Sequence, residues 1–165
     1  MPGTRITRQA NLNPKKKATN KTVKPNRKTM STPTASLGYV ILYVKDVAAS
    51  LAFYEQAFGL SRRFFTDDHG KAYGELETGA ARLGFASLEL ARSHLKQELV
   101  VASLDKPPLG VEIALVTADV AALYARALKA GAISVGEPAA KPWGQTVAYL
   151  RDKDGCLVEL CTPLP

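Results

Sequence analysis

From Leu37 onward the chain runs through one pattern of apolar and polar positions twice. Leu37 to Val44 (LGYVILYV) is a short apolar run rich in β-branched and aromatic residues, which predicts a strand. Asp46 follows as a helix N-cap, because its carboxylate can accept amide protons of the first turn that have no partner within the helix. Val47, Leu51, Tyr54 and Phe58 then recur at helical spacing, and Gly59 supplies the left-handed position that ends the helix. Three strand-like runs come next, near Ser61 to Thr66, Lys71 to Glu77 and Ala81 to Ser87. Asp68-His69-Gly70 and Thr78-Gly79 break them as turns.

The second pass begins at Val111 to Thr117 (VEIALVT), a strand, with Asp119 as the next N-cap. Val120, Leu123, Ala127 and Leu128 form the helix face, and Gly131 is its expected C-cap. Strands follow at Ile133 to Gly136, Gln145 to Leu150 and Cys156 to Cys161, with Asp154-Gly155 turning the last hairpin. Asp46 and Asp119 stand 73 residues apart, and the residues around them align as well as the pattern does. A duplicated βαβββ unit predicts an α+β fold with two similar mixed sheets facing each other, cupped around a space. The expected boundaries are module one at about 37–87, a linker at 88–108 that reads as a short helix or loop, and module two at about 109–165.

Residues 1–36 show neither period and are rich in Lys, Thr, Asn, Pro and Ser, so a disordered basic tail is expected. They hold nine of the 22 Lys and Arg and none of the 15 Asp and Glu. The remainder is therefore slightly acidic, and the net charge of +7 is no argument for a nucleic-acid surface on the domain. The tail reads as a targeting peptide, as an arm that visits nucleic acid, or as a stretch upstream of a start at Met30. The last of these is the reading favoured. With 46% hydrophobic residues, no run near the ~20 needed to span a bilayer and no secretory signal, a cytoplasmic globular protein is expected, without a membrane partner. Cys156 and Cys161, an odd number of residues apart on one expected strand, point to opposite faces and should stay reduced.

YVILYVKDVAASLAFYEQAFGL, with its Asp cap, Ser-x-x-Phe-Tyr and Phe-Gly-Leu, resembles the first module of vicinal oxygen chelate proteins, the glyoxalase, bleomycin-resistance and dioxygenase superfamily. KPWGQTVAYLRDKDGCLVELCTP is similar to that family's closing hairpin, and the resemblance covers the whole domain. In metal-dependent members the first and last strand of each module supply one ligand apiece. Carried over, these positions fall on Tyr39 and Glu112, and on Leu83 (to within one residue) and Glu159. Only Glu159 matches the usual ligand outright, and Tyr39 and Leu83 are not ordinary donors to a divalent cation.

Glu112 and Glu159 are thus the candidate catalytic pair, able to hold an ion with waters or to act as acid and base. The reading favoured is metal-free: Glu159 is a polar group satisfied by neighbouring tyrosines or backbone, and Glu112 binds a cationic or hydroxylated ligand, because two ligands of four rarely hold a catalytic metal unaided. Tyr39, Tyr73, Trp143 and Tyr149 are the candidate ligand-binding residues: strand tyrosines must in part face inward, and the Trp143-Gly144 stretch borders the cavity in the resembling family. His69, His94, Arg62, Arg63 and Arg151 read as solvated or paired side chains. No Gly-x-Ser-x-Gly and no phosphate-binding Gly loop is present. Two functions remain. One is a small-molecule binding protein of the bleomycin-resistance kind, with no cofactor. The other is a divalent-metal-dependent lyase, isomerase or dioxygenase. The resemblance further implies a homodimer, and nucleic acid enters only through the tail.

Overall fold

The structure is a computed structural model and describes residues 34–165; the tail expected at 1–36 lies, as far as residue 33, outside the described residues. Module one contains β1 (Tyr39–Val44), α1 (Val47–Phe58), β2 (Arg62–Asp68), β3 (Lys71–Leu76) and β4 (Arg82–Ser87). A short helix α2 (Leu88–His94), capped by the Ser87 hydroxyl on Leu90 N–H, opens the linker. Module two contains β5 (Glu112–Val116), α3 (Val120–Lys129), β6 (Ile133–Ala140), β7 (Thr146–Arg151) and β8 (Leu157–Cys161). The sheets have the orders β1-β4-β3-β2 and β5-β8-β7-β6, each with one parallel pair between its first and last strand. The duplication expected from the sequence is therefore present as two mixed sheets of one topology.

Both aspartate caps form as the sequence requires, accepting from Ala49 N–H and Ala122 N–H at 2.9 Å. Gly59 closes α1 in the left-handed region (φ 72), whereas α3 ends on Ala130 in right-handed geometry and Gly131 follows at φ 102. His69 (φ 52) and Gly70 (φ 86) make the two-residue turn between β2 and β3. β6 runs longer than its apolar run suggested, through Pro138 to Ala140. Register shifts between Ser134 and Ala139 accommodate the proline on this edge strand.

Each sheet keeps one face against the helices. Val40, Leu42, Leu83, Phe85 and Leu76 pack with α1; Ile113, Leu115, Val158, Leu160, Ala148 and Leu150 do the same in module two, and all belong to one continuous core. Gly74 allows α1 to come close, since a Cβ there would meet Leu51 Cδ1 at 2.5 Å. The two modules are joined through α1. Arg126 of α3 donates from Nε to Gln56 O at 2.6 Å and from Nη2 to Glu55 O at 3.1 Å, covering carbonyls of the last turn of α1. On the other side of the joint, the Tyr54 hydroxyl donates to Asp152 Oδ2 at 3.0 Å and the Ser50 hydroxyl to Asp154 Oδ2.

Asp152 is fully buried, and its Oδ1 accepts from Asp154 N–H (2.9 Å) and Cys156 N–H (2.8 Å) to shape the turn into β8. Arg151 ties down the linker, donating to Lys106 O at 2.8 Å and Ser103 O at 2.7 Å. Both cysteines are free thiols, with Cys156 just before β8 and Cys161 buried at its end. Among the described residues no helix is long and apolar enough to cross a membrane.

Burial, with the charge of Asp154 adding to it, raises the Asp152 pKa above the ordinary carboxylate value, against the lowering effect of its hydrogen bonds. The folded protein thus binds this proton more readily than the unfolded chain does. The contribution of Asp152 to stability is largest at low pH and declines as pH rises from the unfolded value near ~3.9 through the folded one. Asp152→Asn keeps the turn acceptor and removes the buried charge, so in urea denaturation it should match or exceed the wild type at pH 7, with the difference shrinking on acidification. Asp152→Ala strands three donors and should cost about 3 kcal/mol or more. An Asp152→Asn variant as damaged as Asp152→Ala would refute this account.

Candidate functional site

Opposite the helices, each sheet presents a second face, and the register places the candidate residues there. In module two, Glu112 on β5 and Glu159 on β8 both point to this open face. Glu159 is level with Ala114 on β5 and opposite Tyr149 on β7, and Glu112 is one pair further along, level with Leu157. The Tyr149 phenol is held protonated above its usual pKa by hydrogen bonding to Glu159, then by burial and by the charges of Glu159 and Glu112. The Cys161 thiol is likewise pushed up, by burial first and then by Glu159. Lys141 Nζ lies 5.6 Å from the Tyr149 ring centroid. Trp143 sits in the turn before β7, half exposed, with its indole N–H on Gln145 Oε1 at 2.8 Å; Gln145 in turn donates to Thr162 O. Glu112, Glu159 and Tyr149 are thus brought together, with Trp143 at the rim.

In module one, Tyr39 and Tyr73 also face the open side, but the site there was only partly foreseen. Tyr73 donates to Glu75 Oε1 at 3.0 Å, and Glu75 is buried. Arg63 Nε and Arg82 Nη1 approach Glu75 Oε2 at 3.7 and 3.6 Å. Arg82 lies over the Tyr39 ring, 5.6 Å from its centroid, with Nη1 3.4 Å from the Tyr39 hydroxyl. Burial first, then the hydrogen bond to Glu75, raises the Tyr73 pKa to about 12. Glu75 was missed because it lies on β3, which the resemblance does not mark, and Arg82, although next to the marked position Leu83 on β4, because an arginine is no metal ligand. The available signal was their parity with Tyr73 and Gly84 along the strands. Arg62 pairs with Glu55 at 2.7 Å and Arg63 with Glu77 at 2.9 Å, as expected for surface arginines, while Arg151 is used by the linker. The side chain of His69 is exposed, and His94 ends α2. Among the described residues no hydrogen bond or ion pair links the module-one group to the module-two group.

The expected metal positions can now be tested. Leu83 points into the helix-facing core, so the open-face position on β4 is its neighbour Gly84, level with Ile41 on β1 and Glu75 on β3. Gly84 corresponds to Glu159, which is level with Ala114 and Tyr149 in the other module. A Cβ on Gly84 would stand 3.0 Å from the Tyr73 hydroxyl, so tyrosine fills the space a ligand side chain would need. Among the described residues no group of three or more His, Cys, Asp or Glu stands where it could hold one ion. With tyrosine, glycine and two glutamates at the four positions, these residues do not fit a divalent-metal centre.

Two βαβββ modules, each a mixed four-stranded sheet with its helix on one face and polar groups on the other, define the class of fold. The chain belongs to the Glyoxalase/Bleomycin resistance protein/Dioxygenase superfamily, whose model matches residues 36–160. Similar solved structures include a glyoxalase-related enzyme from Fulvimarina pelagi (21% identity, 79% of this chain and 89% of that one, TM-score 0.64). A glyoxalase/bleomycin resistance protein/dioxygenase from Nocardioides is another (18%, 82% and 87%, TM-score 0.63). TioX from Micromonospora sp. ML1 is a third (21%, 78% and 98%, TM-score 0.58). No curated protein sequence matches the chain.

Because Tyr73 occupies the space over Gly84, Gly84→Ala should destabilise the protein by about 1–3 kcal/mol, the usual cost of overpacking. Tyr73→Phe removes the hydroxyl in contact, so a double-mutant cycle by chemical denaturation should show a coupling above about 0.5 kcal/mol. Strict additivity would show that the two positions do not share this space.

Proposed function

We propose that the protein binds a small amphipathic molecule on its open sheet faces, without metal chemistry, and that a second copy of the chain completes the site. The observation that carries this reading is the exposure of those faces on a single chain. Tyr39 is 51% exposed, Phe64 49% and Val116 65%, beside Glu112, Glu159 and Tyr149, with Trp143 at 54% on the rim. Exposed aromatic and aliphatic surface of this kind, mixed with a few polar groups, is what a ligand or a second subunit covers. Glu159 supplies an acceptor in aromatic surroundings, Tyr149 a protonated hydroxyl, and the Trp143 indole a planar surface for stacking. The donor set argues against the metal-dependent alternative, since a glycine stands where module one would provide a ligand.

Screening aromatic and glycopeptide compounds by thermal shift on the full chain should yield binders whose affinity falls about tenfold or more with Glu159→Gln and with Trp143→Ala. Sedimentation should give a mass twice the 17.7 kDa of the chain. Binders indifferent to both substitutions would sink the assignment of the site. One tight equivalent of nickel, zinc, manganese or iron(II), lost on Glu159→Gln, would overturn its metal-free character.

A further inference from the structure

Each sheet ends on two outer strands. β1 and β5 face each other across a cleft lined by Val40, Leu83, Ile113, Leu115 and Val116, which leaves β2 and β6 as the outward edges. Such an edge carries unpaired N–H and C=O groups and is a template for another strand. β6 is ill suited to that use: Pro138 removes a donor, and register shifts between Ser134 and Ala139 interrupt regular pairing. β2 holds neither glycine nor proline, and it runs regularly from Phe64 to Asp68 after a single irregularity between Arg62 and Phe64. Every residue of β2 is exposed, Phe64 at 49% and Phe65 at 37%.

This edge, Arg-Arg-Phe-Phe-Thr-Asp-Asp, begins with cations, continues through aromatic rings and ends with anions. In an antiparallel pairing centred on Phe65 it is complementary to itself. Arg62 then meets Asp68, Arg63 meets Asp67, Phe64 meets Thr66, and Phe65 meets Phe65 of the second copy. An in-register parallel pairing would instead set like charges side by side. The charged groups have capacity for these contacts. Asp67 accepts from Gly70 N–H at 2.8 Å and Asp68 lies 3.7 Å from His69, and among the described residues neither has a Lys or Arg partner. Arg62 gives Nη2 to Glu55, and Arg63 gives Nη1 to Glu77 with Nε toward Glu75, so each guanidinium keeps further N–H donors.

We propose that the outward edge of β2 joins a second copy of this chain, strand to strand and antiparallel, about a twofold axis at Phe65. One surface serves both subunits, so the assembly closes as a dimer. The axis stands normal to the sheet, and the sheet of module one continues into its copy with the two open faces side by side. Phe64 and Thr66, level with Glu75 and Tyr73, lie at the seam on that face. Main-chain bonds and the covered phenylalanines supply affinity, while the charges fix the register. The inference rests on the preceding reading, which calls for a second copy, and names where that copy joins.

Sedimentation equilibrium of the full chain over a concentration series tests this with Arg62→Glu and Asp68→Lys, each checked for an unchanged melting curve. The wild type should dimerise reversibly. Either variant alone places two like-charged pairs in the dimer and should raise its dissociation constant about tenfold or more. An equimolar mixture of the two variants should regain dimer close to the wild-type affinity, since both pairs then join opposite charges. Val135→Glu, at an exposed position on the β6 edge, should leave the dimer unchanged. A chain monomeric at every concentration, whose edge is then left for a foreign strand, would overturn the proposal. So would a mixture no tighter than its components, or equal loss of the dimer on Val135→Glu. A dimer that survives both charge reversals overturns the β2 assignment and leaves the preceding reading intact. Open-face ligands that still bind the charge-reversed monomers sink the second-copy part of that reading and leave β2 standing.

Discussion

The buried carboxylate of Asp152 is the constraint on which the geometry of both modules depends. It takes two backbone amides of its own turn on one oxygen and the Tyr54 hydroxyl of module one on the other. A charged group at the centre of a shared apolar core is tolerated only because its lone pairs are used in this way. Tyr54 is itself fully buried, and desolvation holds its phenol well above the usual pKa, so it remains a donor. With Ser50 and Arg126 on either side, the joint fixes how α1 meets module two, and so fixes the separation of β1 and β5 that leaves the cleft between them.

The fold was largely legible in the chain because its signals are local. Asp46, Gly59 and Asp119 act within one helical turn, His69-Gly70 within one hairpin, and the 73-residue offset repeats the strand, the aspartate cap and the helix. The site was legible in part. Glu112, Glu159 and Tyr149 could be placed because pairing partners on neighbouring strands share a face. Leu83 could not be told from Gly84 without the register, and a one-residue shift exchanges the two faces of a strand. The apolar pair Leu83 and Phe85 around a glycine held that information, since both side chains had to face the helix. The Tyr73–Glu75–Arg82 network was hidden for a different reason: it spans two strands joined by a turn, and no spacing rule predicts which polar residues will meet. β6 was underestimated because Gly136 and Pro138 interrupt its pattern, while the bulges that accommodate them show only in the pairing.

The two modules keep one topology but have diverged in electrostatics. In module two the open-face position on the last strand is a carboxylate facing a tyrosine; in module one it is a glycine, and the carboxylate has moved across to the neighbouring strand, where arginines surround it. Membership of the superfamily accounts for the shared frame. It does not choose between the chemistries found within that frame, because similarity at about 20% identity reaches the backbone and not the side chains.

The linker gives this arrangement a further property. Arg151 anchors residues 103 to 106 to the last turn of module two, and the modules are held to each other by core packing, Asp152 and Arg126, none of which lies in the linker. Covalent continuity between the halves is therefore separable from their association. A chain opened between α2 and Ser103 would yield two fragments that still present complementary surfaces, so the molecule is built as a complex of two related pieces that happen to share one backbone.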